Sequence, residues 1–221
     1  MRTPLTLLAA GAFLSACALQ PSTVPGTQVS RSGNALHYSG YLSADANAQA
    51  AALHDPAVKR LVIRSRGGDI DLGMELGRWV FDQGLDVEVD AYCLSSCANY
   101  VFPAGHNKIL APDSQLGWHG GATQAEMRFA TAAEEQAYQA YIGPARAREA
   151  DFFRHIGVEV ASTTYGQRAE FAPFAECAGW RYSIEAMRHF GIGQVVLSGG
   201  RWAPADSFEN RCIFVIEDVH D

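Results

Sequence analysis

Three short segments carry residue types suited to acyl-transfer chemistry. In Cys93-Leu94-Ser95-Ser96-Cys97-Ala98-Asn99-Tyr100, a polar turn lies between a strand-like run and an apolar helix-like run. A serine at such a junction can project its hydroxyl from the sheet edge, and the helix start offers free N–H donors. The commonest task of serine at that place is to cap the helix. In Leu116-Gly117-Trp118-His119-Gly120-Gly121, a histidine ends a strand-like run and is followed by glycines. A parallel sheet presents its ligands at that end. His119 is the one of seven histidines with this setting. In Ser65-Arg66-Gly67-Gly68, a strand runs into a glycine pair and then a helix. Glycines permit backbone conformations that turn N–H groups inward, where they suit an anion or a developing oxyanion. Read alone, the glycine pair is a tight turn. Read together, the three segments offer a hydroxyl, a base and backbone donors.

The elements around these segments alternate between strand and helix. Strands are predicted over 36–42, 58–63 and 86–91, in shorter pieces at 108–110 and 115–118, and at the end over 212–217. An Ala-rich helix, capped by Ser43 or Asp45, is predicted to run to about His54. Further helices are predicted over 70–83, 98–102, 132–156 and 183–190, with Gly84 and Gly191 closing two of them. Repeated strand–helix units with short loops imply an α/β domain with a mainly parallel sheet and covering helices. Trp79, Phe81, Phe152 and Phe153 sit at helical spacing and are predicted core. Glu134, Glu135 and the Arg146–Arg148–Glu149 group read as a solvated helix face.

The chain has 221 residues, 48% of them apolar, enough for one domain with its own core. Its formal charge is −7, and Lys and Arg are scattered without a basic run. That composition argues against sequence-independent nucleic-acid binding and against electrostatic docking on acidic lipid. Met1-Arg2 followed by the apolar run Leu5–Leu14 and then small residues reads as a secretory signal, too short to span a bilayer. Residues 17–34 are rich in Pro, Ser, Thr, Gly and Asn and read as a tether. Four cysteines follow that tether: Cys93, Cys97, Cys177 and Cys212. An even count in an exported chain reads as two disulfides, with three pairings open. The close spacing favours Cys93–Cys97, which leaves Cys177–Cys212. A zinc site is the competing reading, but the paired Cys-x2-Cys spacing is missing, so no metal is expected.

Leu14-Ser15-Ala16-Cys17 resembles the lipobox of bacterial lipoproteins, in which the cysteine becomes the acylated first residue. The resemblance implies a signal peptide over 1–16, lipidation at Cys17, a tether over 17–34 and a domain over 35–221. The absence of Asp after Cys17 implies a periplasmic, outer-membrane location. Several acyl chains, at about 0.8 kcal/mol per buried methylene, would hold the protein at the membrane.

The stretch from about Val58 to Gly121 resembles the Clp protease proteolytic subunit and its crotonase-fold relatives. Ser65-Arg66-Gly67-Gly68, Ser96, Ala104-Gly105 and His119 follow one another as in that family. Ser183-Ile184-Glu185-Ala186 and Phe190-Gly191-Ile192 resemble a later family helix. The turn Ser-Ser-Cys-Ala-Asn-Tyr is similar to that of exported Clp-like proteins. The resemblance implies an α/β fold of the Clp-protease/crotonase type, a spiral of ββα units. Counting back from Ala104-Gly105 assigns Ser96 as nucleophile, with His119 as general base and the N–H groups of Gly67 and Cys97 as oxyanion donors. The family aspartate has no counterpart in register. Glu176 is the one acid nearby, so a Ser96–His119 dyad and a triad with Glu176 both stay open. The implied activity is a serine hydrolase acting on a peptide or another acyl compound, with no cofactor. The alternative is a Clp-like module that binds a peptide or partner without catalysis. A crotonase-type acyl-CoA enzyme fits an exported chain poorly. Relatives form rings or trimers, which makes a homo-oligomer an implied partner. A Cys93–Cys97 bond would bracket the nucleophile turn.

Overall fold

The computed structural model describes residues 26–124 and 129–220. The signal segment, Cys17 and the first part of the tether lie outside the described residues.

Strands β1 (Gln28–Ser32), β2 (Ala35–Ser39), β3 (Arg60–Ser65), β4 (Asp86–Leu94), β5 (Lys108–Leu110), β6 (Gln115–Gly117) and β8 (Val195–Leu197) form the main sheet. Its order is β1-β2-β3-β4-β5-β8, with β6 pairing the far end of β4. Every pairing is parallel except the β1–β2 hairpin. The expectation of a mainly parallel α/β domain with covering helices therefore holds. β7 (Gly179–Tyr182), β9 (Ser207–Phe208) and β10 (Arg211–Ile216) make a second, three-stranded sheet in the order β7-β10-β9.

The apolar run of β3 explains its place inside the sheet. Leu61 and Ile63 are fully buried and lie in register with Val87 and Val89 of β4, also fully buried. Helices α1 (Ala44–Leu53), α2 (Ile70–Asp82), α3 (Ala132–Ile156) and α4 (Ile184–His189) cover the sheets. Ser43 caps α1 by accepting from the Ala46 N–H, and Asp69 caps α2 by accepting from Asp71 and Leu72. α2 turns Met74, Leu76 and Val80 inward and packs against both α1 and α3. α3 begins at a capping box of Thr131 and Glu134 and ends at left-handed Gly157.

Several expectations need correction. Residues 28–32, read as tether, form β1, which pairs with β2 and buries Val29, so the folded part begins before residue 35. Its Ser- and Arg-rich composition suits an exposed edge strand and hides the pairing. β4 is longer than expected and runs on to Leu94. The short helix after it is a π-helix, Cys97–Val101, in which the Phe102 N–H bonds the Cys97 carbonyl. Phe152 and Phe153 are core, but Phe81 is exposed. Glu149, read as part of a solvated face, is fully buried. β7, β8 and β9 have no clear period in the sequence because each is only two to four residues long.

The two disulfides are Cys93–Cys97 and Cys177–Cys212, the favoured pairing. Two disulfides suit an oxidising, extracytoplasmic compartment. Among the described residues, no helix is long and apolar enough to cross a membrane.

Candidate active site

The parallel register of β4 and β6 brings the site together. Tyr92 pairs with Gln115 and Leu94 with Gly117. One residue past Leu94 lies Ser95, and two past Gly117 lies His119. The Ser95 N–H donates to the Gly117 carbonyl at 2.9 Å, which locks the serine turn to the strand that ends in the histidine. From the other side, Trp118 and Trp180 exchange backbone hydrogen bonds of 2.8 and 2.9 Å, and Gln167 Nε2 donates to the His119 carbonyl at 3.1 Å.

The result is a short contact between Ser95 Oγ and His119 Nε2, 2.7 Å. Ser95 has a φ of +56°, a left-handed conformation that is uncommon for residues other than glycine. A non-glycine residue held in this region costs about 1–3 kcal/mol and persists where its surroundings over-determine it. Here the surroundings are β4, the β6 hydrogen bond, the π-helix and the Cys93–Cys97 bridge. A serine on a strained strand-to-helix turn, with its hydroxyl thrown out over the sheet edge, has the geometry of a nucleophile elbow.

The serine that meets His119 is thus Ser95 and not Ser96. Ser96 is buried, and its hydroxyl donates to the Gly68 carbonyl at 2.8 Å, which fixes the glycine turn. A π-helix holds one residue more than an α-helix over the same path, so a count back across Cys97–Val101 that takes the segment as α-helical lands one residue later than Ser95.

The glycine turn lies against the serine turn. A side-chain carbon on Gly67 would fall 2.8 Å from both Ser95 Cβ and the Ser96 nitrogen, and Gly67 itself has a φ of +88°. Only glycine fits such an approach. The Gly67 N–H is occupied, donating to Ser65 Oγ at 3.1 Å. The N–H groups of Gly68 and Ser96 find no protein acceptor among the described residues. Of the expected donors, the Gly67 N–H is thus engaged within its own turn, while the Cys97 N–H, like that of Ser96, lies in the first turn of the π-helix. Cys97 is buried in its disulfide, one residue further along.

His119 opens along one side into a groove. Partial desolvation pushes its pKa below the ordinary histidine value, its own backbone carbonyl pushes it up, and the nearby Arg211 charge pushes it down. The imidazole is accordingly neutral at pH 7 and can accept a proton. Among the described residues, no carboxylate hydrogen-bonds to the His119 ring. Glu176 is exposed in the turn before β7, and no hydrogen bond or ion pair joins it to His119.

The support behind His119 comes instead from a buried carboxylate that the sequence reading missed. Glu149 accepts hydrogen bonds from the Tyr100 hydroxyl at 2.6 Å, the Ala122 N–H at 3.0 Å and the Thr123 N–H at 2.9 Å. Burial, then the neighbouring Glu149 charge, push the Tyr100 pKa well up, which keeps that hydroxyl a donor. Asn99 Nδ2 donates to the Gly120 carbonyl at 2.7 Å, and Arg146 Nε to the Ala122 carbonyl at 3.0 Å. A side-chain carbon on Gly121 would fall 2.5 Å from Glu149 Oε1. Two helices thus grip the loop that follows His119. The sequence signal available was weak: one glutamate three residues after Arg146 in a helix whose polar pattern looks solvent-facing.

Two recesses meet at His119. One, of about 370 Å3, holds Ser95 together with Arg66, Phe208 and Glu209. The other, of about 460 Å3, runs away from Ser95 among Phe171, Phe174, Trp180 and Phe214. The β9–β10 turn stands over the first. Arg66 Nη1 bonds Glu209 Oε2 at 2.7 Å, its Nη2 bonds Glu209 Oε1, and its guanidinium lies 5.2 Å from the Phe208 ring centroid. No family model matches the chain, and no curated protein matches it.

Proposed function

We propose that the protein is an exported serine hydrolase of the Clp-protease/crotonase type, acting on a peptide or another acyl compound through Ser95 and His119. The observation that carries the reading is the 2.7 Å contact between Ser95 Oγ and His119 Nε2 on a strained strand-to-helix turn. His119 Nε2 removes the Ser95 proton, and Oγ attacks the substrate carbonyl carbon. The donors assigned to the resulting oxyanion are the N–H groups of Ser96 and Gly68, on the two turns that pack against each other beside Ser95. The imidazolium then gives its proton to the leaving group, the carbonyl re-forms and the acyl-enzyme remains. Water, activated by the same histidine, releases the acid. The lipobox-like segment ending in Cys17, together with two disulfides, supports a lipid-anchored protein of the periplasm, on the outer membrane.

The test is labelling with a fluorophosphonate probe, with the modified peptide identified by mass spectrometry. Wild type and Ser96→Ala label on Ser95, and Ser95→Ala does not. Labelling that survives Ser95→Ala but not Ser96→Ala would reverse the assignment. A second reading, a peptide-binding module without catalysis, is favoured because no carboxylate among the described residues hydrogen-bonds the His119 ring. That lack can cost several orders of magnitude in rate. Absence of labelling in folded wild type at any pH supports this second reading.

A further inference from the structure

The two recesses at His119 are unequal in a way that bears on the substrate. Only the smaller one is lined by Ser95; the larger shares His119, Trp180 and Arg211 with it and then runs on beyond the imidazole. In acyl transfer, the acyl half stays on the serine while the leaving half takes its proton from the histidine. The larger recess therefore faces the leaving half.

Its walls define what fits. Phe174 stacks on Phe214 with ring centroids 4.8 Å apart and planes inclined by 17°, and Phe171 stacks on the same ring at 5.5 Å. Phe174 is 46% exposed, so the aromatic surface is open. Beside it stands Arg211, a cation with no carboxylate partner among the described residues. Its Nη2 donates to the Cys177 carbonyl at 3.2 Å, which leaves the rest of a five-donor guanidinium for a ligand. Arg66 and Arg168, by contrast, have Glu209 and Glu170 as neighbours. The Cys177–Cys212 disulfide, next to Arg211, joins the two walls of the recess. Its volume lies within the range of about 300–1,000 Å3 usual for small-ligand sites.

We infer that this recess binds a C-terminal residue with an apolar or aromatic side chain, Arg211 pairing with its free α-carboxylate. Resting on the hydrolase reading, this makes the substrate a peptide cut at its last bond, with a single amino acid released. The Ser95–carbonyl bond forms as the amide C–N bond breaks, and the proton from Ser95 passes through His119 to the departing amine.

Binding to the full chain carrying Ser95→Ala tests the inference without turnover. Calorimetric titration with acetyl-Ala-Ala-Phe is expected to give at least about tenfold tighter binding than the same peptide with a C-terminal amide, the scale of a charge-assisted contact. Acetyl-Ala-Ala-Asp should bind more weakly than the phenylalanine peptide. Adding Arg211→Gln should erase the acid-over-amide preference, and Arg211→Lys should keep part of it. Equal affinity for acid and amide, or a preference that persists in Arg211→Gln, overturns the inference. If the preference appears but wild type never labels with the probe, the pocket stands and the hydrolase reading fails. If wild type labels on Ser95 but acid and amide bind alike, the hydrolase stands and the pocket fails.

Discussion

Glu149→Ala should be among the most damaging single substitutions in this chain. The carboxylate is fully buried and is the acceptor for three donors: the Tyr100 hydroxyl, the Ala122 N–H and the Thr123 N–H. Each buried donor left unpaired costs about 1–3 kcal/mol. Water entering the vacated space recovers part of that, so the expected loss is about 3–5 kcal/mol, the scale found when one partner of a buried charged network is removed. Glu149→Gln keeps an oxygen for Tyr100 and Ala122 but sets an amide N–H2 against the Thr123 N–H. It should cost about 1–3 kcal/mol. For a domain of this size, each kcal/mol moves Tm by about 2–4 °C. Thermal unfolding followed by far-ultraviolet circular dichroism should therefore fall by about 6–20 °C for Glu149→Ala, and by clearly less for Glu149→Gln. The loop these bonds hold is the one that follows His119. Both variants should accordingly label Ser95 more slowly than wild type, even well below their Tm. A Glu149→Ala protein within about 1 kcal/mol of wild type would refute the reasoning, since it would mean that the three donors find other partners at no cost.

Other perturbations test the remaining parts of the site. Labelling of Ser95 should rise with pH as His119 loses its proton, with a half-point below the ordinary histidine value. Removing the Arg211 charge in Arg211→Gln lets the imidazolium form more readily, so the half-point should move up; a downward move would contradict the electrostatics. Gly67→Ala places a carbon 2.8 Å from Ser95 Cβ and the Ser96 nitrogen at a φ of +88°. It should abolish labelling and cost about 1–3 kcal/mol in urea denaturation. The disulfides should separate. The Cys177–Cys212 link closes a loop of 35 residues, so its removal should lower stability by about 3–4 kcal/mol. Replacing Cys93 and Cys97 by alanine should cost only about 2 kcal/mol on the same loop-entropy scale, yet slow the labelling of Ser95, whose turn they bracket. Full labelling in that double variant leaves the bridge with a stabilising role only.

The helices and the longer strands β3 and β4 were readable because each is long enough to show its period or an unbroken apolar run, and the bounds 132–156 for α3 agree with the observed element. The short strands β7, β8 and β9 were not, because two to four residues cannot display a period, and the partner of β8, β5, lies far away along the chain. The edge strand β1 was hidden for a related reason: four of its five residues face solvent, and only Val29 is buried. Burial of Glu149 was illegible for the opposite reason. Two of its three partners are backbone N–H groups, which leave no trace in side-chain chemistry, and the third, the Tyr100 hydroxyl, lies on an element far away in the chain.

The serine assignment shows where counting along a sequence stops working. The turn that holds Ser95 and Ser96 and the strand end that holds His119 were legible as segments, because a polar turn after a strand and a glycine-flanked histidine after another are local patterns. The choice between Ser95 and Ser96 is not local. It depends on whether the chain from Cys97 to Val101 winds with four or five residues between bonded groups, and the bond from Phe102 N–H to the Cys97 carbonyl says five. The two serines then take separate tasks. Ser95 takes the left-handed backbone and meets His119, while Ser96 turns its hydroxyl to the Gly68 carbonyl and holds the glycine turn in place. Each arrangement needs the other. Without the Ser96 bond the Gly67–Gly68 turn loses a contact that fixes it beside Ser95, and without the close approach of Gly67 a bulkier chain would push the Ser95 turn out of its strained conformation. Ser96→Ala should therefore remain folded and reactive but label more slowly than wild type, a phenotype distinct from the complete loss expected of Ser95→Ala.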